Sequence, residues 1–181
     1  MPHSFPSIRS FVRRDSRMTR AQKEALEQNW QDFELLECTR SSEIHHSFQR
    51  RAPLTLEIGS GNGACVLALA EQKPEENFFA VDVHRPGLGR LLNRAVVTGL
   101  CNIRVSDKDI CELLAGVVEP VFDRVLVFFP DPWPKRRHQK RRLLQYPFFD
   151  LLEQSLHRHG RVFIATDDAN YAESIIKTTA G

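Results

Sequence analysis

The stretch LTLEIGSGNG, residues 54–63, decides the fold. It joins a short apolar run to a turn with glycine at every second position, and the residues that follow it suit a helix. Further apolar runs predict strands at 77–83, 102–105, 123–129 and 160–166. Segments with helical character follow at 87–97, 146–156 and 169–178. This alternation, with an almost continuous apolar run in the fourth strand, predicts a doubly wound, Rossmann-like α/β sheet of parallel strands.

The chain upstream of this sheet has a different character. Residues 1–38 are predicted to form a basic N-terminal arm and an amphipathic helix over 20–37, where Thr19 and Gln22 fit a capping box. Residues 39–53 are polar and are interpreted as a linker. Residues 54–181 then form the α/β domain, which suits a chain of 181 residues with one core.

Composition narrows the class of protein. A net charge of +2 gives no argument for a polyanionic partner, so such a partner has to be argued from clustered charge. The four cysteines have no metal-ligand spacing, which favours reduced thiols in a cytoplasmic protein without a bound metal. The N-terminus lacks the apolar core of a secretory signal, and no apolar run approaches the roughly 20 residues that span a bilayer.

Acidic residues stand at or just past every predicted strand end. They are Glu57, Asp82, Asp109, Asp131 and Asp167. In open parallel sheets, ligands bind at the carboxyl ends of the strands. A carboxylate at a buried strand tip is costly unless something pairs with it, so these acids predict a ligand site.

The glycine turn indicates which ligand. Gly59, Gly61 and Gly63 give the spacing G-x-G-x-G, whereas a dinucleotide fold uses G-x-G-x-x-G with a pyrophosphate at the helix N-terminus. The acid Glu57 would repel a pyrophosphate. A structural turn with solvated acids is the plain alternative, and NAD is the rival cofactor.

The acids favour S-adenosylmethionine, which carries a sulfonium, an ammonium group and a ribose diol. Glu57 is expected to face its methionine end, Asp82 to accept the two ribose hydroxyls, and Asp109 to meet the adenine amino group. The turn glycines let the backbone approach the cofactor closely.

The stretch FFPDPWPKRRHQKRR, residues 128–142, indicates the substrate. Two prolines fix the backbone around Asp131, and Trp133 offers a face for stacking. The basic run from Lys135 to Arg142, which includes Arg136 and Arg141, places phosphate-binding charge beside the chemistry. This arrangement suits a nucleobase whose polyanionic backbone is held alongside, with RNA as the partner. A solvated helix face or a localisation signal is the alternative for the basic run alone.

These stretches together resemble the bacterial tRNA (guanine-N7-)-methyltransferase family. The resemblance follows the chain in family order, through IRSFVRR, RMTRAQKEALEQNW, LEIGSGNG, VDVHRPGLGRLLNR, NIRVSDKDI, FFPDPWPKRRHQKRRL and ATDDANYAE. The pattern FPDPWPK-x-RH-x-KRR is far more specific than the glycine turn. The resemblance implies methyl transfer from S-adenosylmethionine to N7 of a guanosine in the tRNA variable loop.

The resemblance also implies roles for single residues. Glu57, Asp82, Asp109 and Asp131 match the cofactor-binding acids, and Asp131 also matches the catalytic acid. Lys135 and Asp167 match substrate-contacting positions. The arm with Arg13 and Arg14 is expected to close over the cofactor and the RNA.

Three departures from the family pattern are visible. Asp82 stands where the family usually has Glu, and Asp168 where it often has Trp. Only five strands are found where such sheets have seven, so strands six and seven and the C-terminal hairpin are missing from the expected pattern. An exposed edge at the fifth strand then predicts marginal stability and self-association as a homo-oligomer.

Two other functions stay open from the sequence. One is a truncated, catalytically impaired homologue that binds tRNA without turnover. The other is a methyltransferase that acts on a different nucleophile, because acid-Pro-aromatic motifs after the fourth strand also serve exocyclic amines.

Overall fold

Five parallel strands form one sheet in the order β3-β2-β1-β4-β5 in the computed structural model, which describes residues 17–35 and 39–180. The strands are β1 (Leu54–Ile58), β2 (Asn77–Val81), β3 (Ile103–Ser106), β4 (Phe122–Phe128) and β5 (Leu156–Ala165). The strand order reverses between β1 and β4, which lie side by side in parallel register. The predicted doubly wound fold is confirmed, and ligands bind such sheets at this switch point.

Helices cover both faces of the sheet. They are α1 (Arg20–Phe33), α2 (Ser41–Phe48), α3 (Ala64–Gln72), α4 (Arg85–Thr98), α5 (Ile110–Ala115), α6 (Tyr146–Ser155) and α7 (Ala169–Thr179), with a 3₁₀ helix over Arg136–Arg141. In the described residues, no helix is both long and apolar enough to cross a membrane.

Alternation along the strands divides the core into two layers. In β2, Phe78 and Ala80 pack with α1, α3 and α4, while Phe79 and Val81 pack on the opposite face with α2, α6 and α7. Successive strand side chains point to opposite faces, so a strand buried on both faces, such as β2, is apolar at most positions. This is why the central strands could be recognised in the sequence as mainly apolar runs.

The structure differs from the sequence-based predictions in several elements, and β5 begins at Leu156, four residues before its predicted start. Helix α1 has the predicted capping box, with Thr19 N–H donating to Gln22 Oε1 at 2.7 Å, but it ends at Phe33. The chain then pairs with the edge of β3, where Leu35 N–H donates to Val105 O at 3.0 Å. The segment interpreted as a linker contains α2, which buries Ile44 and Phe48 in the core.

Another difference lies at the end of β4, which stops at Phe128. Phe129 has a left-handed backbone, with φ of 50°, and its side chain is 67% exposed. The apolar run therefore continues one residue beyond the strand. At the edge of the sheet, β5 pairs with β4 alone among the described residues.

Candidate active site

The glycine turn after β1 is held by backbone hydrogen bonds and by contact with α4. Gly59, Gly61 and Gly63 all have positive φ, a conformation that favours glycine. Gly59 N–H donates to Val81 O at 2.8 Å, which ties the turn to the end of β2. A Cβ added at Gly87 would lie 2.1 Å from Gly61 O, so the first turn of α4 approaches the glycine turn backbone to backbone.

Asp82, just past β2, fixes the same turn. One carboxylate oxygen accepts the N–H of Gly61 at 2.6 Å, and the other accepts the N–H of His84 at 2.8 Å. Each oxygen keeps a further acceptor site, so a diol could still bind. The acid therefore shapes the glycine turn in addition to the ribose-binding role predicted from the sequence.

Glu57 lies within β1 and is buried beside this turn. Burial raises the pKa of Glu57 to about 7 and outweighs the hydrogen bonds from the Val66 N–H and the Cys65 thiol, which lower this pKa. Burial and the nearby Glu57 raise the pKa of the Cys65 thiol to about 11, so this thiol stays protonated. Glu57 Oε2 has no hydrogen-bond partner within the described part of the chain.

The buried atoms around the turn fit a cationic ligand with hydroxyl and amine donors. Besides Glu57 Oε2, the hydroxyl of Ser60 in the turn itself is buried and unpartnered among the described residues. Buried polar groups are normally hydrogen-bonded, so such a pair indicates groups that a ligand completes. An ammonium or sulfonium near Glu57 would also favour its ionised form.

Asp109, which was predicted to meet adenine, begins α5. Its Oδ1 accepts the N–H of Cys111 at 2.8 Å as the N-cap of that helix. The sequence did not predict this helix. Asp109 stands after β3, at the same carboxyl-terminal edge of the sheet as Glu57 and Asp82, because β1, β2 and β3 run parallel.

Asp131 is exposed just past the end of β4. Two non-glycine residues with positive φ flank it, Phe129 and Trp133, the latter with φ of 43°. Such conformations in non-glycine residues concentrate at functional sites. Phe129 N–H donates to Ala165 O at 2.8 Å, which keeps this segment tied to β5. Asp131 also lies near Tyr171, whose pKa is raised by burial and, to a smaller extent, by this carboxylate.

The basic run forms the 3₁₀ helix and presents most of its charge to solvent. Lys135, Arg136, Arg137 and Lys140 are exposed. Arg141 instead lies over the indole of Trp133, 5.1 Å from the ring centroid, and His138 meets the same ring edge-on at 5.8 Å. Arg141 therefore covers one face of Trp133, which reduces the ring surface on which a nucleobase could stack. Partial burial and the neighbouring cations lower the pKa of His138.

Arg142 departs from the rest of the run. Its place in the basic run predicted a phosphate-binding charge, but its side chain is only 4% exposed. Its guanidinium lies 4.7 Å from the centroid of the Tyr171 ring, on α7. That interpretation of Arg142 is wrong, because a guanidinium buried between protein segments cannot reach an RNA backbone.

The acids after β5 have separate roles. Asp167 is exposed, as a substrate-contacting residue would be. Asp168 caps α7, and its Oδ1 accepts the N–H of Tyr171 at 2.7 Å.

The predicted contacts of Arg13 and Arg14 lie outside the described residues. Within 17–35 and 39–180, no group of three or more His, Cys, Asp or Glu side chains could hold a metal ion.

Known proteins that are similar to this chain are methyltransferases. A family model described as "Putative methyltransferase" matches residues 51–181. A Nitrosococcus oceani protein named tRNA (guanine-N(7)-)-methyltransferase is 47% identical over 169 residues, which cover 93% of this chain and 72% of that protein. One of the same name from Ectopseudomonas mendocina is 43% identical over 172 residues, covering 94% and 72%.

The chain belongs to the tRNA (guanine-N7-)-methyltransferase family. Solved structures show the fold at much lower identity. An rRNA methylase from Streptococcus thermophilus has a TM-score of 0.52 at 19% identity and covers 79% of this chain and 80% of its own. The aminoglycoside resistance methyltransferase NpmB1 has a TM-score of 0.57 at 15% identity, with coverage of 77% and 68%.

Two features of this methyltransferase site that involve α7 were not predicted from the sequence. The first is the capping role of Asp168, for which the only signal was its place one residue before a predicted helix. The second is the burial of Arg142, for which the sequence carries no signal, because basic residues surround it on the N-terminal side. Both involve α7, whose position against the segment after β4 is a tertiary relationship.

Proposed function

We propose that this enzyme transfers the methyl group of S-adenosylmethionine to N7 of a guanosine in the variable loop of tRNA. One observation carries the proposal. The adjacent strands β1 and β4 bring a buried, partly unpartnered carboxylate, Glu57, and an exposed one, Asp131, to the same end of the sheet. The first suits a cationic cofactor, and the second stands beside the exposed charges of the 3₁₀ helix.

Residues at the carboxyl-terminal edge of the sheet would each bind a different part of the cofactor. Glu57 and the glycine turn would hold the methionine end, Asp82 the ribose hydroxyls, and Asp109 the adenine. When bound, the cofactor supplies a methyl group on a sulfonium, and transfer to N7 forms a carbon–nitrogen bond, breaks the carbon–sulfur bond and moves the positive charge to the purine. Guanine N7 has a free lone pair, so no residue has to remove a proton first.

Asp131 is therefore proposed to orient the base. Its carboxylate can accept hydrogen bonds from the N1–H and N2–H₂ groups of guanine, and correct placement is the main catalytic requirement of such a transfer. Lys135, Arg136 and Asp167 would hold the neighbouring RNA. Because A-form RNA hides N7 in its deep major groove, the target belongs in a loop or a tertiary fold, which suits the variable loop.

A single incubation tests the proposal. The purified protein is mixed with methyl-labelled S-adenosylmethionine and unmodified tRNA, and the nucleosides are analysed. Label in 7-methylguanosine that forms much more slowly in Asp131→Asn supports the proposal. Label in another nucleoside favours a different nucleophile, and tRNA binding without label favours an RNA-binding homologue without turnover.

Two further expectations concern where the protein is located and whether it self-associates. Cytoplasmic location stays a prediction, as does self-association through the edge of β5, where Phe163 is 43% exposed. Sedimentation at several concentrations would show whether the mass rises above that of one chain, and Phe163→Lys should then lower it.

A further inference from the structure

Arg142 joins the segment just after the exposed Asp131 to the N-terminus of α7. Its Nε donates to Pro132 O at 2.8 Å, so it holds the Pro132–Trp133 peptide, one residue past Asp131. One terminal nitrogen donates to Asn170 Oδ1 at 2.9 Å and lies 4.0 Å from Asp168 Oδ1. The guanidinium also packs on the ring of Tyr171. All of these partners except Pro132 lie on α7 or at its N-cap.

The partners of Arg142 are themselves fixed. The hydroxyl of Tyr171 accepts the N–H of Leu144 at 3.0 Å, which ties α7 to the chain just after the basic run. Asp168 is bound to the backbone of α7 through its cap. The planar, forked guanidinium is suited to holding several acceptors at once, and an ammonium is not.

We propose that Arg142 is a positioning residue for Asp131: it holds the Asp131–Pro132 segment against the N-terminus of α7 and does not bind RNA. Only the expected effect on kcat rests on the proposed function. Whether or not tRNA is methylated, removing the guanidinium should let the segment that carries Asp131 and Trp133 shift. Small displacements of an orienting group cost up to about 100-fold in rate.

The central experiment compares Arg142→Met, Arg142→Lys and Arg136→Met with the wild type. Arg142→Met and Arg142→Lys are both expected to lower kcat by about 10- to 100-fold, with the KM for tRNA and the salt dependence of tRNA binding near wild type. Arg136→Met, in the exposed part of the run, is expected to raise KM and flatten the salt dependence. Rescue by Arg142→Lys together with a flattened salt dependence in Arg142→Met would mean that Arg142 binds phosphate, which overturns the proposal.

A spectroscopic readout separates this proposal from the proposed function. In a Trp30→Phe background, Trp133 is the only tryptophan left, because the chain has two. Its emission should shift in Arg142→Met and stay unchanged in Arg158→Met, an exposed arginine at the amino half of β5. The measurement needs no RNA, so it holds even if tRNA is not methylated. An unshifted spectrum in a folded Arg142→Met protein overturns the proposal.

Two further variants guard against a general loss of stability. Asn170→Ala removes one acceptor of Arg142 at an exposed position, so the fold should persist while kcat falls several-fold. If Arg142 acts through Asp131, adding Arg142→Met to Asp131→Asn should lower kcat little further. A wild-type kcat in Asn170→Ala, or fully multiplicative losses in the double variant, would contradict the positioning role.

Discussion

The backbone N–H of Gly61 donates a 2.6 Å hydrogen bond to the carboxylate of Asp82, so the acid after β2 holds the glycine turn after β1. The same carboxylate accepts the N–H of His84 at the entrance to α4. One side chain thus links the turn, the strand and the helix around the proposed cofactor site.

The first prediction concerns Asp82. Asp82→Asn offers one acceptor and one donor to two backbone N–H groups, so one of the two bonds is lost together with an acceptor for the ribose. We expect the Kd for S-adenosylmethionine, measured by calorimetry, to rise about tenfold or more.

The matched control is Asp123→Asn. Asp123 Oδ2 accepts the N–H of Leu54 at 2.8 Å, at the other end of β1. This variant should lose stability but bind the cofactor within about twofold of the wild type. Equal cofactor affinity in the two variants would show that Asp82 has no special part in binding.

The second prediction concerns pH. Folding raises the pKa of Glu57 from its ordinary 4.5 to about 7, so the folded state holds this proton more tightly. The resulting contribution to stability is complete below about pH 4.5 and is lost as pH rises through about 7. Above that pH the ionised carboxylate costs roughly 3 kcal/mol at most. Without cofactor, the Tm of Glu57→Gln minus the Tm of the wild type should therefore be roughly 5 °C larger at pH 8 than at pH 5.

Cofactor binding should show the opposite trend. A cationic ligand favours ionised Glu57, so wild-type affinity for S-adenosylmethionine should increase as pH rises through about 7, and Glu57→Gln should lose both affinity and this dependence. Glu71→Gln, on the exposed face of α3, is the control and should match the wild type in both measurements. A Tm difference between Glu57→Gln and wild type that does not change with pH would rule out this assignment.

The third prediction concerns the close approach of α4. Because a Cβ at Gly87 would lie 2.1 Å from Gly61 O, Gly87→Ala must push the glycine turn away from α4. We expect a loss of about 1–3 kcal/mol in the free energy of unfolding and a cofactor Kd raised about tenfold or more.

Gly99→Ala provides the comparison. Gly99 has φ of 69° and open space around its Cβ position, so alanine there costs about 1–2 kcal/mol through backbone strain alone. Its cofactor affinity should stay at the wild-type value. If both variants weaken binding equally, the effect is one of general stability.

The fourth prediction concerns the exposed basic residues. Lys135→Ala combined with Arg136→Ala removes two charges that face solvent beside Asp131. We expect weaker tRNA binding, and the slope of log K against log salt should flatten by about 1–2 units, since each lost phosphate contact contributes slightly less than one. Affinity for S-adenosylmethionine should not change.

A pair with the same charge change controls for net charge. Arg158→Ala with Arg161→Ala removes two exposed arginines from β5. This pair should leave the salt slope near the wild-type value. A similar flattening in both pairs would mean that tRNA responds to total charge and not to the 3₁₀ helix.

The sequence by itself determined the sheet and the edge at which the chemistry lies. Strands buried on both faces are mainly apolar, and parallel strands bring their carboxyl ends together, so the acids Glu57, Asp82 and Asp131 could be assigned to one edge of the sheet from the sequence alone. The boundaries were less accurate, because Phe129 is apolar like the strand that precedes it and leaves the sheet through its backbone conformation.

Only the tertiary structure decided what the neighbouring residues do. Arg141 and Arg142 are the same residue type at adjacent positions, yet one lies over Trp133 and the other is buried against α7. Residues 39–53 are polar in composition, yet two of their apolar side chains complete the core. Burial depends on which distant segment packs against a residue, and that is set by the path of the whole chain and not by local composition.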